Sequence, residues 1–247
     1  MSSGDNEGAR PQRCLLNAEI WRGSRAVVAH TTRIWKSGAF IKTAHALPPG
    51  VRTRLRLSLG RVVPSIDLTA EVKVTHTETG SGGKRGVEVS FELPSDDASE
   101  SLRALVARLT AEPDHQTPFH VLLVEDNEIL REAFSVAADR EFPDRTRRPK
   151  IGFAASAEEG ERRVHYGSYD ILLVDQDLAG EPGAELIRRI RASKKHASMP
   201  VIGLTVGGRE PQTALRAAGA DLCLQKPLVF RDILNTLDRL LPRGQGR

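Results

Sequence analysis

The sequence predicts two domains of different class. The first is all-β, a small antiparallel barrel or sandwich with a trailing helix; the second is α/β, built on a doubly wound, five-stranded parallel sheet. Three observations predict this. Up to about Leu93, apolar residues recur at alternate positions in short runs broken by Gly and Pro, as a sheet with one wet face requires. From Asp96 to Thr110 the spacing becomes helical. Beyond Pro118, five short apolar runs alternate with helical stretches, the signature of strands buried on both faces by crossover helices.

In the first half, Val51–Leu59 and Ile66–Val74 show the clearest alternation. Pro48-Pro49-Gly50 and Gly80-Ser81-Gly82-Gly83 supply turn or loop chemistry between strands. Leu102, Leu105, Val106 and Leu109 then fall at i, i+3, i+4 and i+7, one face of a helix over Asp96–Thr110 with Ser95 or Asp96 as N-cap. The segment Ala111–Pro118 holds two prolines and no apolar period. Residues 112–118 are therefore expected to be a linker, with a first domain over 10–111, a second over 119–242 and disorder over 1–9. In the second domain, strands are expected at Val121–Val124, Ile151–Ala154, Ile171–Val174, Val201–Leu204 and Leu222–Leu224. Helices are expected at about 127–141, 157–166, 183–194, 210–218 and 228–241.

The 247 residues, 39% hydrophobic and 28% charged, suffice for two real cores. No apolar run approaches the roughly 18 residues of a membrane span. The start MSSGDNEGAR has no apolar region of a secretory signal. Cys14 and Cys223 are far apart, without metal-ligand spacing, which excludes a disulfide framework and a zinc site. A soluble, cytoplasmic protein is expected. The formal charge of +4 sits wholly in the first half, with 16 Lys and Arg against 12 Asp and Glu through Glu112. That surplus fits an anionic ligand or a solvated surface equally. Arg145–Lys150, a basic run, reads as a solvated loop, with nucleic-acid contact as the lesser alternative.

In an open α/β sheet, ligands bind outside the carboxyl ends of the strands. Those ends carry Glu125-Asp126, Asp175-Gln176-Asp177, Thr205 and Lys226. Neighbouring carboxylates repel unless a cation sits among them, and a hard divalent ion such as Mg²⁺ suits oxygen ligands. With a lysine and a hydroxyl, the set can bind a metal, neutralise a phosphoryl group and offer it a carboxylate. The plainer alternative is that each acid caps the helix that follows it.

Val121-Leu-Leu-Val-Glu-Asp126, Ile171-Leu-Leu-Val-Asp175, Leu204-Thr205 and Lys226-Pro227, in this order and spacing, resemble the receiver domain of two-component response regulators, over about 119–242. Gly183 falls where that family places a glycine after its phosphorylation loop. The resemblance implies a flavodoxin-like sheet and phosphorylation of Asp175 by a sensor histidine kinase. It implies Mg²⁺ on Asp126, Asp175 and the backbone carbonyl of Asp177, with Glu125 acting through water. Thr205 would bond a phosphoryl oxygen and Lys226 would pair with it. Cys223 departs from the family's aromatic switch residue, and the loop Leu178-Ala-Gly-Glu-Pro-Gly183 places its proline late.

Ile34-Trp-Lys-Ser-Gly38-Ala-Phe-Ile-Lys-Thr43, Leu47–Val51 and Gly86–Phe91 resemble a PilZ domain over about 10–111. Such domains commonly bind cyclic di-GMP through RxxxR and a following D/N-x-S-x-x-G. Both motifs are altered: Arg33 stands at the Asp/Asn position, Trp35 at the Ser position, and Arg13 follows Ala9 and Arg10 by four and three residues. An arginine cannot accept the hydrogen bonds of a purine edge. One reading has Arg10, Arg13, Arg22, Arg25 and Arg33, with Gly38, holding cyclic di-GMP in an altered mode. The favoured reading makes them solvated charges on a protein-interaction module. Trp35 is either an exposed anchor for a partner or a plug in the barrel mouth, and His45 and His76 read as ordinary strand residues.

Together these readings describe a non-enzymatic signalling protein: a receiver behind a degenerate PilZ domain, with output by contact with a downstream protein. The alternative is a cyclic di-GMP effector whose primary input is the barrel. Nucleic-acid binding and membrane insertion are not expected.

Overall fold

The computed structural model describes residues 11–45, 47–76, 85–93, 95–111 and 118–241. Arg10, the segment 1–9, the glycine-rich run 80–83 and nearly all of the expected linker lie outside the described residues. The chain divides into two compact units, with the main division after residue 112.

The first unit holds β1 (Gln12–Arg13), β2 (Asn17–Arg22), β3 (Arg25–Trp35), β4 (Gly38–Lys42), β5 (Arg52–Leu59), β6 (Val63–His76), β7 (Gly86–Glu92) and α1 (Asp96–Thr110). The sheet order is β1-β3-β2-β5-β6-β7-β4, and a further β3–β4 pairing closes six of the strands into a barrel. Closure decides between barrel and sandwich and removes exposed edges. Alternation fills the inside: Leu55 and Leu57 point inward from β5, with Ile20, Ile34, Phe40 and Ile41 also buried. Two strands are longer than the expected short runs, β3 at 11 residues and β6 at 14. Each has a register shift, at Thr31/Arg33 and at Val72/Val74. A bulge moves the following side chains to the other face, so the strands outrun a strict two-residue period.

α1 is capped by Ser95, whose Oγ accepts the Ala98 N–H at 3.2 Å. It packs Leu102, Leu105 and Leu109 inward, joined by Ala98, with contacts to β6. Val106 stays half-buried.

The second unit alternates β8 (His120–Val124), α2 (Glu128–Glu141), β9 (Lys150–Ala154), α3 (Ala157–Tyr166), β10 (Ile171–Asp175), α4 (Gly183–Ala192), β11 (Val201–Thr205), α5 (Arg209–Ala217), β12 (Leu222–Gln225) and α6 (Phe230–Leu240). The parallel sheet has the order β12-β11-β10-β8-β9. α2 packs with α6, while α3 meets α4 and α4 meets α5. β8, β10 and β11 are apolar almost throughout and buried along their length. Chain order reverses between β8 and β10, which opens the crevice where such sheets take ligands. β10, β11 and β12 each run one residue past the apolar stretch, into Asp175, Thr205 and Gln225. No helix of the described residues is long and apolar enough to cross a membrane.

Candidate functional site

Glu125 and Asp126 follow β8 directly, and Asp175 ends β10, its neighbour. One carboxylate oxygen from each lies within 4.8 Å of the others. Glu125 and Asp175 are 2% and 3% exposed, so two negative charges are held almost out of water. Lys226, just past β12, answers them: its Nζ stands 2.8 Å from Glu125 Oε2 and 2.9 Å from Asp175 Oδ2. Burial opposes the ammonium, yet its bonds to both carboxylates hold its pKa above the usual lysine range. Burial lifts Glu125 above the usual carboxylate range and the charge of Asp175 adds to this, with Lys226 opposing. One ammonium among three carboxylates leaves a net negative cluster.

Asp175 Oδ1 is buried and accepts no hydrogen bond. A buried carboxylate oxygen without a donor is costly unless it faces a ligand. Hard oxygen donors, surplus negative charge and an unspent ligand atom fit a hard divalent cation such as Mg²⁺. The carboxylate of Asp177 is exposed and stands outside this cluster.

The surrounding backbone fixes the cluster. Glu125 N–H donates to Ala154 O at 3.0 Å, and Arg131 Nη1 donates to the carbonyls of Glu125 and Asp126 at 2.7 and 2.8 Å. Asp126 Oδ2 accepts the Ala179 N–H at 2.9 Å, which ties down the loop after Asp175. Gln176 returns that loop, its carbonyl taking Gly183 N–H at 3.0 Å and its side chain Ala184 N–H at 3.2 Å. At Gly183 a Cβ would lie 2.0 Å from the Asp175 carbonyl oxygen, so only glycine lets α4 start this close. Thr205 is fully buried; its Oγ1 accepts Gly207 N–H at 3.2 Å, which leaves the hydroxyl proton available to a ligand. Lys226 N–H donates to Thr205 O at 2.7 Å, and the Lys226–Pro227 peptide is cis.

The acids are not helix caps. α2 is capped by Asn127, whose Oδ1 accepts Ile129 and Leu130 N–H, α3 by Ser156, and α4 starts at Gly183 without a side-chain cap. Sequence reasoning did not single out Asn127 or Arg131. The first could have been found from cap preference alone; nothing local marks the second, because its partners are backbone carbonyls. Cys223 is buried in the core, and burial pushes its thiol up to about 11.

In the barrel, Arg13 and Arg33 face each other across β1 and β3. The Arg33 guanidinium lies over the Phe40 ring at 5.3 Å, with its Nε buried and unbonded. Trp35 is half-buried, and a Cβ on Gly38 would meet its ring at 2.8 Å and the Val89 carbonyl oxygen at 2.3 Å. Trp35 therefore packs over the glycine. Arg22 and Arg25 pair across the β2–β3 turn and are exposed, as is His45, while His76 stacks near Phe40 at 5.4 Å.

Residues 121–238 match the family model described as the response regulator receiver domain. Over 127 residues the chain is 32% identical to the virulence transcriptional regulatory protein PhoP of Salmonella typhimurium, covering 51% of this chain and 53% of that one. It is 31% identical to the two-component response regulator PhoP of Pseudomonas aeruginosa over the same shares. The chain thus spans about half the length of the curated relatives it matches. Among solved structures, the chemotaxis response regulator CheY4 of Vibrio cholerae is 25% identical, with a TM-score of 0.44, covering 51% of this chain and 100% of that one.

Proposed function

We propose that this chain, whose residues 121–238 form a response regulator receiver domain, is a cytoplasmic two-component regulator phosphorylated on Asp175 by a sensor histidine kinase. Its N-terminal barrel is a PilZ-type module that signals by contact with a downstream protein. The observation that carries the phosphorylation reading is the asymmetry of Asp175, whose carboxylate clusters with those of Glu125 and Asp126: Oδ2 is held by Lys226 while Oδ1 is buried and unbonded.

In this mechanism the Asp175 carboxylate attacks the phosphorus of a phosphohistidine. The new O–P bond forms as the P–N bond breaks, and the imidazole leaves with the kinase. Asp126, Asp175 and the Asp177 carbonyl, with Glu125 through water, would hold Mg²⁺, which when bound would neutralise charge at the phosphoryl oxygens. Lys226 holds Asp175 in place before transfer, and pairs with a phosphoryl oxygen after it. The Thr205 hydroxyl donates to another, which draws on the bond it shares with Gly207 N–H. Cys223 offers no ring to rotate, so the response passes through the loop after β11.

Incubation with a small phosphodonor and Mg²⁺ tests this. A base-labile, acid-stable acyl phosphate should form on the wild type and fall to background in Asp175→Asn. Its absence from the wild type, or its persistence in the variant, refutes the assignment. The second reading, cyclic di-GMP as primary input, draws on the facing pair Arg13 and Arg33.

A further inference from the structure

β9 is an edge strand, so one side of it lacks a neighbour. Its register places Lys150 beside His120 and Ala154 beside Val124. Lys150 is therefore at the end of the sheet opposite the carboxylate cluster. Ile151 and Phe153 share one face of the strand, and both are only half-buried. The loop that enters the strand brings Arg145, Arg148 and Pro149 alongside.

These residues and Ser135 of α2 line a cavity of about 450 Å³, within the size range of small-molecule sites. Its walls have two characters. Pro149, Ile151 and Phe153 are apolar, while Arg145, Arg148 and Lys150 bring three cations. Arg148 is pre-set: its Nη1 is paired with Asp139 of α2 at 3.0 Å, and its Nε is buried with no hydrogen-bond partner. Among the described residues, no carboxylate pairs with Arg145 or Lys150. A guanidinium beside two cations that no carboxylate pairs with favours an anionic occupant.

We propose that this cavity binds an organic phosphate monoester. Its three terminal oxygens match three cationic side chains, where a carboxylate offers two. The oxygens are shared by the Arg148, Arg145 and Lys150 side chains that line the cavity, with the Ser135 hydroxyl as a further donor. The aromatic or apolar body of the ester lies against Pro149, Ile151 and Phe153. This site uses none of the groups around Asp175 and does not depend on the phosphorylation reading.

The test is calorimetric titration of the full chain with phenyl phosphate and with adenosine monophosphate, without Mg²⁺. Saturable binding of at least one ester is expected, at least ten-fold tighter than inorganic phosphate, which leaves the apolar wall uncovered. The double variant Arg145→Ala, Lys150→Ala removes two exposed side chains, so its fold should hold; it should weaken the ester at least ten-fold and leave Asp175 phosphorylation unchanged. Arg148→Lys, which keeps the charge and loses the planar guanidinium, should weaken it as well. No saturation with either ester overturns the proposal, and so does an affinity equal to that of inorganic phosphate, the behaviour of an adventitious ion only. Tighter, steeply salt-dependent binding of a single-stranded oligonucleotide would assign the surface to nucleic acid and overturn it too.

Discussion

The carboxylate cluster of the second unit and the arginine pair of the first are both places where like charges are brought together, and they handle the charge in opposite ways. At Glu125, Asp126 and Asp175 the groups come from neighbouring strand ends, two of them are buried, and one oxygen of Asp175 remains unspent. At Arg13 and Arg33 the groups come from paired strands, and Arg33 rests its charge on the Phe40 ring. Beside it, Trp35 covers Gly38, closing the space a small polar residue would leave. Convergence alone does not make a binding site. What distinguishes the cluster is the kind of capacity left over: a hard carboxylate oxygen among surplus negative charge, where the unbonded Arg33 Nε belongs to a guanidinium that rests on an aromatic ring.

Removing one cation from each place tests that contrast most sharply. Lys226→Ala leaves Glu125 and Asp175 facing each other with no counter-charge, and breaking a buried pair in this way costs on the order of 3 kcal/mol. Thermal unfolding should show that loss, and millimolar Mg²⁺ should restore part of it by binding only the folded state. Arg33→Ala should cost only about 1 kcal/mol, the scale of a cation–π contact. Equal losses, or no rescue by Mg²⁺, would erase the distinction.

The two glycines come next. Alanine at Gly183 or Gly38 places a Cβ 2.0 or 2.3 Å from a backbone oxygen, and each should cost roughly 2 kcal/mol of overpacking. They should differ in what else fails. Gly183→Ala shifts α4 against the Asp175 carbonyl and should slow acyl-phosphate formation, whereas Gly38→Ala should leave that rate alone.

A smaller effect concerns Cys223. With its thiol pushed up to about 11, the thiolate share at pH 8 is about one in a thousand. Iodoacetamide should label it slowly in the native chain, about ten-fold faster per added pH unit, and readily after denaturation. Fast native labelling would show that the β12 core opens near the switch position. Last, isothermal titration with cyclic di-GMP should give no saturable heat; micromolar binding lost in Arg13→Ala would move the barrel's arginines into the class of unspent charge.

How far each region could be read in advance follows from its geometry. Of the parallel strands, β8, β10 and β11 were the most legible because they are buried along almost their whole length, so their sequence is apolar almost without interruption. The last residues of β10, β11 and β12 were not: Asp175, Thr205 and Gln225 look like loop residues until the site that holds them is assembled. In the barrel, β5 and much of β6 were legible by alternation. β3 was not, because the shift at Thr31/Arg33 breaks the period and because its run RAVVAHTTRIW mixes polar residues into both faces. Within the cluster, the acids and Lys226 were visible as strand-end residues. The clamp from Arg131 and the Ala179 N–H on Asp126 were not, since backbone partners leave no trace in side-chain spacing.

By itself the sequence determined the two fold classes, the order of strands and helices in the α/β unit, and which residue types stand at its strand ends. These rest on local periodicity and on the short reach of the chain between successive elements. Only the tertiary structure decided that the all-β unit closes through β3 and β4, that Lys226 bridges Glu125 and Asp175 across about a hundred residues of chain, and that one Asp175 oxygen is left without a partner. Closure and leftover hydrogen-bonding capacity are properties of the whole packing, and no window of sequence contains them.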